Sequence, residues 1–207
     1  MISVKQMREI QARNPQYIDL CFLLDITSSM KTWMDSAKSV ISKVLKEVAS
    51  KNQEVKTIRY AFVGYADIDD KVPFVIHPFT DQVEVIEKAI ADCPLMYGYD
   101  IAEDVAGGLQ KVVDLDWNSF TRVLIHIADA PGHGSFMHSL ANSDDNFLNA
   151  PEKPVIDLME KLVTKKIDYF FMEIHNCTTK MTNYFKTKMD SFNAPNMEPK
   201  VSITLLK

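Results

Sequence analysis

Residues 18–25, IDLCFLLD, form a nearly continuous apolar run that ends on an acid. A strand with one wet face alternates apolar and polar residues, so a run with little alternation must be covered on both faces. The run therefore belongs in the middle of a sheet that carries helices on each side. A second run of the same kind, TRVLIHIAD at 121–129, also ends on an acid. Between and beyond these two, strand and helix patterns alternate. The spacing predicts a helix from Ser29 to Ser50, with Trp33, Ala37, Val40, Ile41, Val44 and Val48 recurring at three- and four-residue steps along one stripe. TIRYAFVGYAD (57–67) reads as a strand, and KVPFVIHPF (71–79) as another, which Pro73 and Pro78 confine to a sheet edge. Helices over 81–93 and 102–114 precede the strand at 121–129. A long polar loop (130–152), a helix (154–165), a strand (167–174), a helix (179–190) and a last strand (201–206) complete the pattern, with SFNAPNMEPK (191–200) as a loop.

Strands alternating with helices imply crossover connections. The expected fold is α/β and Rossmann-like: a doubly wound, mostly parallel central sheet with one antiparallel edge strand and helices on both faces. A chain of 207 residues suits one domain, here 17–207, preceded by an N-terminal extension, 1–16. The net charge of −5 argues against nucleic acid, which needs a basic face. Cys21, Cys93 and Cys177 are odd in number and include no C-x-x-C pair, which favours a reducing compartment. No run reaches membrane-spanning length and the N-terminus has no signal-type apolar core, so the expected location is cytoplasmic.

Ligands of an open parallel sheet bind at the carboxyl ends of its strands. Asp25, Asp67 and Asp129 all fall at such ends, and a further acidic stretch, YDIAEDVAGG, precedes a helix. Acids gathered at one edge repel each other unless a positive charge lies between them. A divalent cation is the economical answer, and oxygen donors without a His/Cys set suit Mg²⁺ or Mn²⁺ better than zinc. Capping is the plainer explanation of Asp25, Thr27 and Ser29, since such residues favour helix N-termini. Asp129 also suits a turn before Pro131, and Glu103 a first helical turn. His133 and His138 match no zinc spacing and read as support for the loop. His126, within a strand, reads as a satisfied core residue. Asp67, Asp69 and Asp70 read as a solvated turn.

DITSS, at 25–29, is a D-x-T-x-S version of the D-x-S-x-S motif and resembles the von Willebrand factor A (vWA) family. VGYADIDD, GYDIAEDVAGGLQKVVDLDW, VLIHIADAPGHG and TTKMTNYF look like successive blocks of the vWA domains of alpha-kinase-associated proteins. The resemblance implies a metal-ion-dependent adhesion site (MIDAS) formed by Asp25, Thr27, Ser29 and Asp129. Counting back five residues from Gly108 places the family's metal-binding threonine on Glu103, with Asp100 as its rival. It implies Mg²⁺ or Mn²⁺ as cofactor and puts Asp67 near the site. The function it implies is a metal-dependent protein-binding module that captures an acidic side chain of a protein partner.

No catalytic domain is expected in the chain: neither G-x-G-x-x-G nor G-x-x-x-x-G-K-[ST] occurs, and no G-x-S-x-G elbow accompanies DITSSM. The alternatives are a haloacid-dehalogenase-type Mg²⁺-dependent phosphatase, which would want an acid where Thr27 stands, and a vWA scaffold that works without metal.

Overall fold

The computed structural model describes residues 17–51, 57–193 and 203–206. Six strands form one sheet: β1 (Tyr17–Asp25), β2 (Thr57–Tyr65), β3 (Phe74–Thr80), β4 (Thr121–Ala128), β5 (Ile167–Glu173) and β6 (Ile203–Leu206). Their order is β3-β2-β1-β4-β5-β6. β3 pairs antiparallel with β2 at one edge, and the other neighbours are parallel. The architecture is the α/β, mostly parallel one expected. Five helices cover the sheet: α1 (Met34–Lys51), α2 (Val83–Ala91), α3 (Val105–Val113), α4 (Glu152–Thr164) and α5 (Thr179–Phe192).

β1 shows why its sequence runs without alternation. Every residue after Tyr17 is buried. Leu20, Phe22 and Leu24 join a core with α1 and α2, while Cys21 and Leu23 point the other way into a core with α3, α4 and α5. The two-residue period of a strand thus supplies both cores from one segment. Asp19 is the polar exception near the start of β1. It is fully buried and receives Arg59 Nε and Nη2, the Asn118 and Ser119 backbone N–H groups and the Ser119 hydroxyl, at 2.6–2.9 Å. This clamp sits at the end of the sheet opposite the acids that close β1 and β4.

The edge strand behaves as its prolines require. The β2–β3 register shifts between Tyr60, opposite Thr80, and Phe62, opposite His77, which brackets Pro78. Helix boundaries depart more. The helix expected from Ser29 is a 3-10 turn, Ser28–Thr32, followed by α1. The tighter turn alters the phase of the stripe. Met30 and Met34 are buried, whereas Trp33 is 46% exposed. The helix expected over 102–114 starts only at Val105, because Asp104 Oδ1 accepts the Gly107 N–H at 2.7 Å and caps it there. α4 begins at Glu152, and the loop before it contains a 3-10 turn at Asn142–Asp144. α5 extends to Phe192. The expected extension 1–16, most of the 191–200 loop and the start of the last strand lie outside the described residues. Among the described residues no helix is long and apolar enough to cross a membrane.

Candidate metal centre

β1 and β4 lie side by side and parallel, with Leu24 opposite Ile127, so both chains leave the sheet at the same edge. The residues that follow meet there. Asp25, the last residue of β1, is fully buried. The chain then turns back: the Thr27 N–H and hydroxyl both donate to Asp25 Oδ1, at 2.9 and 2.6 Å. Thr27 Oγ1 lies 3.1 Å from Ser29 Oγ, and the Ser29 hydroxyl donates to Asp129 Oδ1 at 2.9 Å. An unbroken chain of polar contacts therefore runs Asp25–Thr27–Ser29–Asp129 across the ends of two strands. Neither Thr27 nor Ser29 spends its hydroxyl on a helix N–H, and the 3-10 turn has no side-chain cap.

Glu103 joins from a third loop. Its backbone N–H donates to Pro131 O at 3.0 Å, which pins it to the segment after β4. A side chain on Gly98 would come within 3.1 Å of Glu103 Oε1, so the loop before α3 closes tightly over this carboxylate. Glu103 is 3% exposed. Burial pushes its carboxyl up to about 10, Asp25 and Asp67 add to the rise, and the polar Thr27 hydroxyl opposes it. Burial likewise pushes Asp25 up to about 7, against the bonds from Thr27 and with help from Asp129. Asp129 is raised by burial too, with the Ser29 bond and His175 opposing.

Asp25 Oδ2 and Glu103 Oε2 are both buried with no hydrogen-bond partner. A buried carboxylate oxygen without a donor costs free energy. Among the described residues no lysine or arginine forms an ion pair with Asp25, Glu103 or Asp129. Three acids, of which Asp25 and Glu103 each keep one donor-less oxygen, and two hydroxyls are hard oxygen donors, the kind that a divalent cation of the Mg²⁺ or Mn²⁺ type takes. Asp25, Thr27, Ser29 and Asp129 are joined by direct contacts, and the Glu103 carboxylate lies in the field of Asp25. Asp100, the rival of Glu103, acts electrostatically on it; its Oδ2 accepts the Asn146 N–H, and one of its oxygens lies within 4.8 Å of ligand atoms of Asp67 and His133.

Asp67 corrects an expectation. It is no solvated turn residue: it is fully buried at the end of β2. Asp67 Oδ1 accepts the Ile68 N–H at 2.6 Å and contacts His133 Nε2 at 2.7 Å. His133 Nδ1 is 2.8 Å from Asp145 Oδ1, and His138 Nε2 is 2.8 Å from Asp145 Oδ2. Asp145 also accepts the Gly134 and Phe147 N–H groups. Burial acts to raise Asp145, but these four bonds hold it below the usual carboxylate range. Burial acts against charge on His133, yet Asp67 and Asp145 raise its pKa on balance. Asp145 escaped the sequence reading because only "NSDDN" as a polar cluster marked it. His126 is the satisfied core residue expected: its nitrogens meet Tyr65 Oη at 2.8 Å and Tyr169 Oη at 2.7 Å, and burial pushes it down to about 3.

Comparison with known proteins adds kinship. The chain is 32% identical over 190 residues to alpha-protein kinase vwkA of Dictyostelium discoideum. The match takes in 87% of this chain but 29% of the relative, so the chain spans under a third of that protein. No protein-family model matches. Among solved structures, the pilus adhesin SpaC of Lactobacillus rhamnosus GG superposes with a TM-score of 0.57 at 12% identity. That match covers 94% of this chain and 28% of the adhesin, and it reflects a shared fold.

Proposed function

We propose that the chain is a protein-binding module of the vWA type whose Asp25, Thr27, Ser29, Glu103 and Asp129 hold Mg²⁺ or Mn²⁺ and, through it, an acidic side chain of a protein partner. One observation carries the reading: two buried carboxylate oxygens, Asp25 Oδ2 and Glu103 Oε2, have no donor in a pocket that already contains two hydroxyls and a third acid. The kinship to a protein named vwkA supports the vWA assignment and its alpha-kinase association. The bound cation would supply a Lewis-acidic point at which a partner's Glu or Asp completes the ligand set. The chain's own residues do the rest. Thr27 and Ser29 donate their protons to Asp25 and Asp129, which turns hydroxyl lone pairs inward. Metal and partner affinities are then coupled, each strengthening the other.

The phosphatase alternative draws no support from this arrangement, because the position that should hold a general acid holds Thr27, whose proton is engaged by Asp25. The test is thermal unfolding with Mg²⁺, Mn²⁺ or EDTA for the wild type and Asp25→Asn, a variant that keeps an acceptor for Thr27. Saturable stabilisation by Mg²⁺ of the wild type alone is expected, about 2.7 kcal/mol at one hundred times Kd. Equal responses of the two proteins would refute the site.

A further inference from the structure

Beside the proposed centre lies a second group of ligand atoms that differs from it in chemistry. Asp67, Asp100 and His133 each present one such atom, all within 4.8 Å of one another. A tetrahedral site with bonds of about 2.1 Å separates its ligands by about 3.4 Å, so a modest closure would complete a cage. Two of its oxygens, Asp67 Oδ2 and Asp100 Oδ1, are buried with no hydrogen-bond partner, and Asp67 as a residue is fully buried. Further negative charge crowds in, since Asp69 and Asp70 both interact with Asp67. Against these acids His133 is the one neighbouring imidazole, and it is shared with Asp145.

The second shell is of the kind that metal-ligating histidines use. His133 Nδ1 sits 2.8 Å from Asp145 Oδ1, so an N–H there points at a carboxylate and leaves Nε2 to face Asp67. Asp145 is fixed in turn by His138 and by the Gly134 and Phe147 N–H groups. Phe147 packs edge-on against the His133 ring at 4.9 Å between centroids and limits its rotation. Asp100 is partly buried, the least enclosed of the three. Its loop is tied down, because the Ile101 and Ala102 N–H groups both donate to Asp144 O.

We propose that Asp67, Asp100 and His133 form a second divalent-cation site, separate from the first and selective for a first-row transition ion such as Zn²⁺ or Mn²⁺. Imidazole together with carboxylates favours such ions, whereas Mg²⁺ and Ca²⁺ prefer oxygen alone. Its single nitrogen donor gives it a distinct signature.

The experiment loads the whole chain with Mn²⁺, counts bound ions by calorimetry, and looks for ¹⁴N modulation in pulsed electron paramagnetic resonance, with Zn²⁺ as competitor. Two ions are expected in the wild type, with nitrogen modulation that Zn²⁺ removes. Asp25→Asn should keep one ion and the modulation. His133→Gln should keep one ion without it. Asp100→Asn, on the least buried of the three side chains and so less demanding of the fold, should lose the same ion as His133→Gln. A single ion that Asp25→Asn abolishes, with no nitrogen signal, would overturn this site and leave the first intact. A single ion with nitrogen modulation that survives Asp25→Asn would support this site and overturn the first. No bound ion in the wild type would overturn both.

Discussion

Glu103 makes a quantitative prediction about the metal-free chain. In the folded protein its carboxyl is pushed up to about 10, against 4.5 for an ordinary glutamate. Between those two values the folded state holds a proton that the unfolded chain has released. Stability therefore falls as pH rises through that window, by about 1.4 kcal/mol per unit. Glutamine has nearly the same shape and does not titrate. In EDTA, Glu103→Gln should be more stable than the wild type by at most about 2 kcal/mol at pH 6 and at most about 5 kcal/mol at pH 8. Urea unfolding of both proteins at pH 6, 7 and 8 measures the difference, and the comparison cancels the titrating groups that do not act on Glu103. Saturating Mg²⁺ should reverse the order, because the wild type gains binding free energy and the variant has lost a ligand oxygen. If the two proteins lose stability in parallel between pH 6 and 8 in EDTA, Glu103 is not protonated in the fold and the argument from its burial among acids is wrong.

His126 sets an opposite slope on the acid side. Held neutral between two tyrosine hydroxyls and pushed down to about 3, it costs stability as pH falls below the ordinary 6.5, because only the unfolded chain takes up the proton. By pH 4 the loss should reach at most about 3 kcal/mol, and a His126→Gln variant should lack this component when unfolded in urea across the same range. Asp19→Ala should cost about 3–5 kcal/mol by leaving the partly buried Arg59 and two backbone N–H groups without their acceptor. Because Asp19 lies at the far end of β1, calorimetry on the folded variant should give unchanged metal affinity.

The fold was legible because its physics is local and periodic. IDLCFLLD and TRVLIHIAD had to be central strands, and Pro73 and Pro78 had to be at an edge. The start of α1 was less legible. A stripe through Trp33 assumes one continuous helix, and nothing in TSSMKTW reveals that the first turn is 3-10. At the site, Asp25, Thr27 and Ser29 were grouped through the vWA resemblance, and they do meet, because alternate residues of one tight turn converge without help from elsewhere. Asp67 was misjudged for the opposite reason. IDD beside it is ordinary turn sequence, and its burial depends on His133, 66 residues away. His133 has neighbours from two other loops, Asp67 and Asp100, and His138 meets Asp145 of its own loop, so no ligand spacing along the chain shows either. Spacing rules detect ligands that share an element and miss those that only the tertiary fold assembles.

The two clusters also differ in how they treat charge, and that difference bears on what each could bind. At the first, hydroxyls stand between the acids, and Ser29 is exposed while Asp25 is fully buried. A neutral hydroxyl at the accessible rim leaves a cation only partly compensated on its open side, which is where a carboxylate from another protein would approach. Glu103 works against this, since a third acid brings the ligand charge to −3 against +2. Its position limits the effect: at 3% exposure, beneath the loop at Gly98, it sits away from the rim and acts on the buried side. At the second cluster the arrangement is inverted. The least buried of its three residues is itself an acid, Asp100, and the imidazole is buried and held from behind by Asp145. An incoming carboxylate would meet negative charge there first. The first cluster is therefore suited to present a cation to an acidic partner, whereas the second is suited to retain one within the loops at 67, 100 and 133, and so to brace the edge on which the first is built.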